Sequence, residues 1–229
     1  MNPLSEFKTK KLIIVGDSAF AEIAYEYFDA DSDFEVVAFT VEKGFLKKSE
    51  MFGLPIVPFE EIEHIFDPAS HYVYVATVYT QLNRLRTRLA AAAKLKGYRL
   101  ASYISSRAFV WRNVKLGEHC FIFEDNTLQP FVSVGDNVVM WSGNHIGHHS
   151  QVGDNCFLAS QVVVSGFCEI GENSFIGVNA TLANNVVVGK DNWIGPNVVI
   201  MKGTEPCALY RTDQPGPAKI TTLRFFKLA

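Results

Sequence analysis

The segment Ile146–Leu182 reads IGHHSQVGDNCFLASQVVVSGFCEIGENSFIGVNATL, and an aliphatic residue returns in it at every sixth position. The same step continues in both directions without a slip of register, and its members are Ile104, Val110, Leu116, Ile122, Leu128, Val134, Met140, Ile146, Val152, Leu158, Val164, Ile170, Ile176, Leu182, Val188, Ile194 and Ile200. A period of six fits neither an α-helix, which repeats every 3.6 residues, nor a long strand, which repeats every two. It fits the hexapeptide repeat that builds a β-helix.

This period predicts a three-sided coil, because three steps, each a short strand and a corner, make one turn of about 18 residues. We expect the aliphatic step residues inside the prism, together with the small or β-branched residue two positions before each. That second set comprises Cys120, Val132, Val138, Ser150, Cys156, Val162, Cys168, Ser174, Ala180, Val186 and Val198. Glycine often follows the step residue, as at Gly117 and Gly147, where we expect corner dihedrals that a side chain would resist.

Composition narrows the class of protein. The chain has 229 residues and a net charge of −3, which argues against a nucleic-acid partner because phosphate binding favours a basic face. Residues 1–11 contain no apolar signal core, and no apolar run is long enough to span a bilayer, so we expect a soluble, cytoplasmic protein with no membrane partner. The cysteines show no CxxC pair and no zinc-like spacing, and most of them fall on interior positions of the repeat.

The first 100 residues alternate predicted strands with predicted helices. The strands are expected at 10–16, 34–39, 55–57, 71–77 and 99–103, and the helices at 19–28, 58–66 and 81–96. This alternation predicts a parallel sheet in a Rossmann-like α/β domain. We therefore divide the chain into a Rossmann-like domain (1–100), an all-β parallel β-helix (101–204) and a C-terminal capping tail (205–229); the hand of the coil and the ligand of the first domain follow only from the family resemblance given below.

Ligands of such sheets bind beyond the carboxyl ends of the strands. The predicted substrate-binding residues at those ends are Gly16, Asp17, Ser18, Thr40, Glu42, Thr77 and Tyr79. The dinucleotide fingerprint GxGxxG is absent, since the first turn reads GDSAFA, and a nicotinamide cofactor is not expected. Backbone amides near Gly16 favour a nucleotide phosphate at the start of the following helix; the alternative is that Gly16 serves only a tight turn.

A small α/β domain followed by hexapeptide repeats resembles the left-handed β-helix sugar acyltransferases of the sialic acid O-acetyltransferase and bacillosamine-pathway N-acetyltransferase type. The resemblance implies a left-handed coil, a nucleotide-linked sugar held by the first domain, and acetyl-CoA held by the prism. It also implies a homotrimer with each CoA groove between adjacent prisms. The family usually has Gly-Gly-His after the first glycine, where this chain has Asp17, Ser18 and Ala19.

The run SGNHIGHHS from Ser142 to Ser150 contains three histidines. An acyltransferase needs a base, and the ordinary pKa of histidine, near 6.5, suits that role; His148 aligns with the catalytic histidine of the family. Residues 18 apart stack about 4.8 Å apart in successive coils, which places Gly166 directly above His148. We expect the Gly166 N–H to be free to stabilise an oxyanion, and the family uses a glycine amide at this place. Asn184 and Lys202 continue the column as predicted cofactor-binding residues.

Three positions depart from the family pattern. His149 stands where Glu or Asp commonly orients the imidazole, so we expect the orienting group to be Asp125, Glu124 or a backbone carbonyl. Phe157 replaces a residue near the acyl group that is often histidine, and Trp141 replaces an asparagine. We expect both aromatic residues, together with Gly166, to shape the cofactor and acyl site.

The predicted function is an acetyl-CoA-dependent N-acetyltransferase acting on a nucleotide-linked amino sugar, with His148 as general base and no metal. One alternative is O-acetylation of a sugar hydroxyl, and another is a non-catalytic protein that binds nucleotide sugars. A zinc carbonic anhydrase of the same fold is disfavoured because the spacings of His145, His148 and His149 differ from its ligand pattern.

The tail contains Pro215–Lys219, which resembles the Gly-x-Pro-Ala-Lys segment of hexapeptide acyltransferases, and Thr221–Leu228 is predicted to cap the open end of the prism.

Overall fold

The computed structural model describes residues 8–228. The N-terminal part of the chain folds as an α/β unit. Its strands are β1 (Lys10–Val15), β2 (Phe34–Val41), β3 (Glu50–Met51), β4 (Leu54–Pro58), β5 (His71–Val75) and β6 (Arg99–Leu100). Its helices are α1 (Ala19–Ala30), α2 (Ile62–Ile65) and α3 (Arg84–Leu95), with short 3-10 turns at Lys43–Phe45 and Phe59–Glu61. The sheet order is β3-β4-β2-β1-β5-β6, and every pair is parallel except β3 with β4.

Both faces of this sheet are covered. Leu12 and Ile14 of β1 pack with α1 on one face, whereas Ile13 and Val15 pack with α3 and the segment around Phe59 on the other. Successive side chains of a strand point to opposite faces, and a parallel sheet is normally buried on both. Because helices cover both faces, the part of the sheet left open to a ligand is the edge formed by the carboxyl ends of the parallel strands and the loops that follow them.

Two predicted elements have different bounds in the structure. Helix α3 begins at Arg84 rather than at residue 81, because Gln81, Leu82 and Asn83 have φ angles of +52°, +49° and +69°. Left-handed residues cannot continue a right-handed helix. The predicted strand at 99–103 is divided, since β6 pairs with β5 and Tyr103 already belongs to the prism.

The six-residue step folds into the predicted prism. Its two-residue strands are β7 (Tyr103–Ile104), β8 (Phe109–Val110), β9 (Lys115–Leu116), β10 (Phe121–Ile122), β11 (Thr127–Leu128), β12 (Ser133–Val134), β13 (Val139–Met140), β14 (His145–Ile146), β15 (Gln151–Val152), β16 (Phe157–Leu158), β17 (Val163–Val164), β18 (Glu169–Ile170), β19 (Phe175–Ile176), β20 (Thr181–Leu182), β21 (Val187–Val188), β22 (Trp193–Ile194), β23 (Val199–Ile200) and β24 (Leu209–Tyr210). They form three parallel sheets: sheet 1 contains β7, β10, β13, β16, β19, β22 and β24; sheet 2 contains β8, β11, β14, β17, β20 and β23; sheet 3 contains β9, β12, β15, β18 and β21. Partners lie 18 residues apart, as Phe121 pairs with Val139, and this arrangement fits the left-handed β-helix.

The interior of the prism is filled as predicted. The step residues from Ile122 to Ile200 are buried in one cluster, and so are the small residues two positions before them. Each buried aliphatic side chain contributes about 1.5–3 kcal/mol. Burial raises the pKa of Cys120 to about 11 and that of Cys156 to about 12. These thiols therefore stay protonated at neutral pH and serve as interior packing.

Glycine follows the step residue for a different reason from the one predicted. Gly117 and Gly147 do not have positive φ; the left-handed corner residue comes two positions later, as at His119 (φ +57°) and His149 (φ +61°). A Cβ on Gly147 would lie 2.6 Å from the carbonyl carbon of Ser165 in the next coil. Glycine is required there because neighbouring coils approach too closely for a side chain.

The α/β unit packs on the outer face of sheet 1. Phe121, Val139 and Phe157 of that sheet share one hydrophobic cluster with α1. From α3, the buried guanidinium of Arg86 donates to Asn137 through Nε at 3.0 Å to Oδ1 and through a terminal nitrogen at 2.8 Å to the backbone oxygen. The prism edge between sheets 2 and 3 lies opposite sheet 1, and we refer to it as the far corner (129–132, 147–150, 165–168 and 183–186).

The C-terminal tail does not cap the prism. Residues 211–228 are exposed throughout, including the short helix α4 (Thr222–Phe225). Strand β24 instead adds to sheet 1 beside β22, although the six-residue step is interrupted after Ile200. Among the described residues, the apolar side chains of the tail are thus exposed and do not form the predicted closing contact with the last coil.

Candidate functional site

His148 and Gly166 meet at the far corner. The imidazole of His148 is exposed, and Gly166 lies one coil above it, as the spacing of 18 predicted. A Cβ built on Gly166 would be 2.8 Å from Cε1 and 2.9 Å from Nε2 of His148. The slot beside the ring therefore exists only because residue 166 has no side chain.

The Gly166 N–H is not free, contrary to the prediction. It donates a hydrogen bond of 2.9 Å to Oδ1 of Asn184, one coil further along the column. The backbone N–H of His148 is held in a similar way by Oε1 of Gln129, also at 2.9 Å. An oxyanion can receive the Gly166 N–H only after the Asn184 side chain rotates away, and Asn184 is exposed enough to do so.

Lys202 lies at the end of this column, as predicted. It lines a cleft of about 480 Å³ together with Met201, Thr204, Tyr210 and Arg211. The cleft offers two cationic side chains to an anionic ligand, Lys202 and Arg211. Arg211 was not predicted from the sequence, because it lies beyond the interruption of the repeat.

The polar group within hydrogen-bond distance of the His148 ring is His149, not one of the predicted carboxylates, and Phe167 packs edge to face on the same ring. The two Nδ1 atoms are 3.1 Å apart. Asp125 instead pairs with Arg107, and Glu124 accepts a 2.7 Å hydrogen bond from Tyr27, at the corner between sheets 1 and 2. The prediction for Asp125 and Glu124 is therefore wrong, because their corner lies on another edge of the prism.

Trp141 and Phe157 also lie away from His148 within one chain. Trp141 stacks on Phe123, with ring centroids 4.7 Å apart, and Phe157 is buried against Phe175 on sheet 1. Both contact the α/β unit rather than the far corner. The period alone separates both residues from His148, because their steps, Met140 and Leu158, belong to sheet 1 and Ile146 belongs to sheet 2. The sequence does not specify which of these faces the first domain covers.

A second candidate site lies at the carboxyl ends of β1, β2 and β5. This cavity of about 550 Å³ is lined by Val15, Gly16, Asp17, Ser18, Val41, Glu42, Phe45, Thr77, Thr80, Gln81, Leu85, Arg88 and Leu89. Five predicted substrate-binding residues are thus brought together: Gly16, Asp17, Ser18, Glu42 and Thr77. Two are not, since Thr40 is buried with its hydroxyl donating to the backbone oxygen of Val57, and Tyr79 packs on Phe175.

Polar groups are already arranged in this cavity. Arg88 donates two hydrogen bonds of 2.8 Å to the carboxylate of Glu42, and this pairing lowers the pKa of Glu42. The hydroxyl of Thr77 is buried and has no hydrogen-bond partner within residues 8–228. Gly16 has φ +127°, and a Cβ there would lie 2.9 Å from the carbonyl oxygen of Ala76. The Ser18 side chain does not cap α1, whose N-terminus opens onto the cavity.

Arg88 was not among the predicted site residues. The sequence feature that could have identified Arg88 is its place in the first turns of the helix that follows β5, because such turns lie across the strand ends. The three left-handed residues before α3 then decide which of its side chains face the cavity.

The cavity and the far corner lie on different sides of one chain. The α/β unit covers sheet 1 and its flanking corners, where Arg84 pairs with Asp191 and Tyr27 contacts Glu124. The far corner is the opposite edge. In a single chain, a ligand in the cavity is separated from His148 by the body of the prism.

Two further observations bear on function. Within residues 8–228, no group of three or more His, Cys, Asp or Glu side chains is arranged to hold a metal ion. Across the same residues, none of the helices combines the length and the apolar character needed to span a bilayer.

Comparisons with known proteins agree with this architecture. Residues 149–184 match the family described as bacterial transferase hexapeptide (six repeats). No curated protein sequence matches the chain. The acetyltransferase domain of PglB from Neisseria gonorrhoeae FA1090, solved also with acetyl coenzyme A, is 19% identical, with a TM-score of 0.76 over 87% of this chain and 95% of that one.

Two other solved structures show the same likeness. PerB from Caulobacter crescentus, in complex with CoA and GDP-perosamine, is 24% identical, with a TM-score of 0.78 over 87% of this chain and 92% of that one. WeeI from Acinetobacter baumannii AYE is 19% identical, with a TM-score of 0.67 over 88% of this chain and 96% of that one. The predicted resemblance is confirmed: the chain carries bacterial transferase hexapeptide repeats and shares its fold, over most of its length, with solved sugar acetyltransferases.

Proposed function

We propose that the chain transfers the acetyl group of acetyl-CoA to the amino group of a nucleotide-linked sugar. The observation that carries this proposal is the exposed imidazole of His148 beside the open slot at Gly166. A thioester in that slot would lie next to a base, and no side chain would separate them. The matched hexapeptide repeats and the CoA complexes of the PglB domain and PerB support the same donor.

The chemistry we assign to His148 is general base catalysis. Its unprotonated ring nitrogen takes a proton as the sugar nitrogen attacks the carbonyl carbon of the thioester. The C–N bond forms, the C–S bond breaks when the tetrahedral intermediate collapses, and the proton passes from the imidazolium to the departing CoA sulfur. The Gly166 N–H stabilises the oxyanion once Asn184 releases it, so a covalent intermediate is unnecessary.

The α/β unit, residues 1–100 in our division, is proposed to be a Rossmann-like domain that holds the nucleotide. Its five parallel strands follow the order of a doubly wound sheet. The cavity at their ends contains the α1 N-terminus for a phosphate and the unpartnered hydroxyl of Thr77. Glu42, held in place by Arg88, offers a carboxylate to sugar hydroxyls.

We propose that the working unit is a homotrimer. The separation of the nucleotide cavity from His148 within one chain is the supporting observation. A neighbouring copy would present its own far corner to the cavity, and the acceptor and the base would then come from different chains. The same arrangement would place the CoA arm between prisms, along Gly166, Asn184 and Lys202.

The choice of an amino acceptor rests on PerB, described as a perosamine N-acetyltransferase. A sugar hydroxyl is the alternative acceptor, because the same base and slot would serve it.

The test is turnover by the purified full chain with acetyl-CoA and a panel of UDP-, dTDP-, GDP- and CMP-linked amino and deoxy sugars. Release of free CoA thiol reports transfer, and the mass of the product reports N- or O-acetylation. We expect one amino sugar to be acetylated, and His148→Asn to lose at least about 100-fold in rate with an unchanged melting temperature. Full activity of His148→Asn would remove the base from the mechanism.

A non-catalytic binding protein gives a different result. It would gain thermal stability from a nucleotide sugar but would release no CoA thiol in either form. Light scattering of the 25.5 kDa chain with and without CoA measures the number of copies, and a monomer that turns over would contradict the proposed trimer.

A further inference from the structure

The far corner carries an aromatic column that the fold itself does not require. Phe131, His149 and Phe167 occupy the left-handed corner position in consecutive coils, with φ angles of +68°, +61° and +59°. Elsewhere that position is most often asparagine, as at Asn137, Asn155, Asn173, Asn179, Asn185 and Asn197. Bulky side chains disfavour this conformation, and Phe131 and Phe167 leave 59% and 52% of their surface exposed.

The two phenylalanine rings hold His149 between them. The His149 ring lies 4.6 Å from Phe131 at 26° and 4.8 Å from Phe167 at 17°, both measured between ring centroids. Stacking on both faces fixes the plane of the imidazole. Neither backbone preference nor burial in the core explains why phenylalanine occupies these two corner positions. Holding the His149 ring in one orientation does explain it.

The fixed imidazole points one nitrogen at the neighbouring histidine. Nδ1 of His149 is 3.1 Å from Nδ1 of His148, and the two rings are nearly perpendicular at 87°. Between two neutral imidazoles, one nitrogen must donate and the other accept. His149 also lines a cleft whose other polar residues are Lys115, Asn113, Ser133 and Gln151.

We propose that His149 is a positioning residue for the acetyl transfer, and this inference rests on the proposed function. His149 accepts the Nδ1–H of His148, which leaves Nε2 of His148 unprotonated beside the Gly166 slot. The opposite arrangement would put the proton of His148 on Nε2, and the ring would then be unable to act as a base there. His149 thus does through a neutral ring what a carboxylate does in the resembling family.

The experiment uses the full chain and three variants. His149→Asn inserts the residue that the other corners use, so the fold is preserved. His149→Glu inserts a carboxylate, and Gln161→Asn is the matched control, because Gln161 has the same left-handed conformation (φ +61°) at another corner. Two readouts are measured: kinetics with acetyl-CoA and the acceptor found in the panel, and the histidine tautomers by ¹⁵N NMR without substrate.

We expect the wild type to hold His148 with the proton on Nδ1. His149→Asn should shift His148 towards the Nε2–H form and lower kcat by about 10–100-fold, with little change in KM for acetyl-CoA. His149→Glu should keep the Nδ1–H form of His148, because a carboxylate also accepts that proton. The Gln161→Asn control should match the wild type in both readouts.

An unchanged tautomer and an unchanged rate in His149→Asn would overturn the positioning role while leaving acetyl transfer intact. If instead no sugar is acetylated but the NMR shows the tautomer shift, the proposed function fails and the orientation of His148 by His149 stands. The two failures are therefore distinguishable, because the NMR measurement needs no turnover.

Discussion

His119 and His149 occupy the same position of the repeat on different corners, with φ angles of +57° and +61°, yet they differ in burial and in their hydrogen-bond partners. His119 is buried where the α/β unit meets the prism: its Nε2 accepts the Val75 N–H at 2.9 Å, and its Nδ1–H donates to Oδ1 of Asn137 at 2.7 Å. His149 is exposed at the far corner between two phenylalanines. The same local backbone thus supports a buried histidine or an exposed one, and the contacts of the ring distinguish them.

The buried histidine, His119, should dominate the decrease in the free energy of unfolding at acid pH. Burial, followed by the nearby charge of Arg86, lowers the pKa of His119 from 6.5 to about 3. Below pH 6.5 the unfolded chain binds a proton that the folded chain does not, so stability is complete above pH 6.5 and falls as the pH drops towards 3. The loss is about 1.4 kcal/mol per pH unit, or about 5 kcal/mol in all. Urea unfolding at pH 7.0 and at pH 5.5 measures the part of this loss that occurs between those two pH values.

His119→Gln is the control for that measurement. Glutamine already occupies the equivalent left-handed position at Gln161, and its side chain can accept from Val75 without titrating. The wild type should lose about 1.4 kcal/mol more than His119→Gln between these two pH values. Equal losses would assign the acid sensitivity to other groups.

Removing the hydrogen bonds of His119 should have the next largest effect. His119→Leu leaves the Val75 N–H without a partner and removes a donor to Asn137, and a buried unpaired group costs about 1–3 kcal/mol. We expect a loss of about 3 kcal/mol in the free energy of unfolding, measured by urea melts at pH 7.5. The exposed counterpart, His149→Asn, should change it by less than about 0.5 kcal/mol. Similar losses in both would erase the distinction between the two corners.

Closing the slot at the far corner tests function rather than stability. In Gly166→Ala, the added methyl would lie 2.8 Å from Cε1 of His148, and the ring would have to move. We expect about a 100-fold loss in kcat/KM with little change in melting temperature, because the nearest atoms to that methyl all belong to the exposed His148. Gly216→Ala, whose Cβ meets nothing within 4 Å, should behave as the wild type.

The smallest effect concerns the aromatic column. Phe131→Asn replaces a bulky left-handed residue by the one that favours this conformation, so the free energy of unfolding should rise by about 0.5 kcal/mol. Urea melts at neutral pH measure the change. A decrease of more than about 1 kcal/mol would mean that Phe131 stabilises the fold itself, and the aromatic column would then lose its functional interpretation.

The prism was predictable almost residue by residue because its contacts repeat the sequence period. The partner of Phe121 is Val139, and the neighbour of His148 is Gly166, each 18 positions away. The α/β unit was predictable in its elements but less so in its site: Arg88 was missed and Tyr79 misplaced. The loop before α3 contains three left-handed residues that sequence propensity does not announce, and this loop sets which side chains face the cavity.

The sequence by itself determined the coil, its interior and the stacking of Gly166 on His148, because a six-residue period converts directly into height along a prism. Only the tertiary structure decided which corner is covered by the α/β unit, that Asn184 takes the Gly166 N–H, and that His149 rather than a carboxylate contacts His148. Those outcomes depend on side-chain directions and on one domain docking on another. The period places Asn184 above Gly166, but it does not specify the hydrogen bond that the side chain makes there, nor which face of the prism a domain covers.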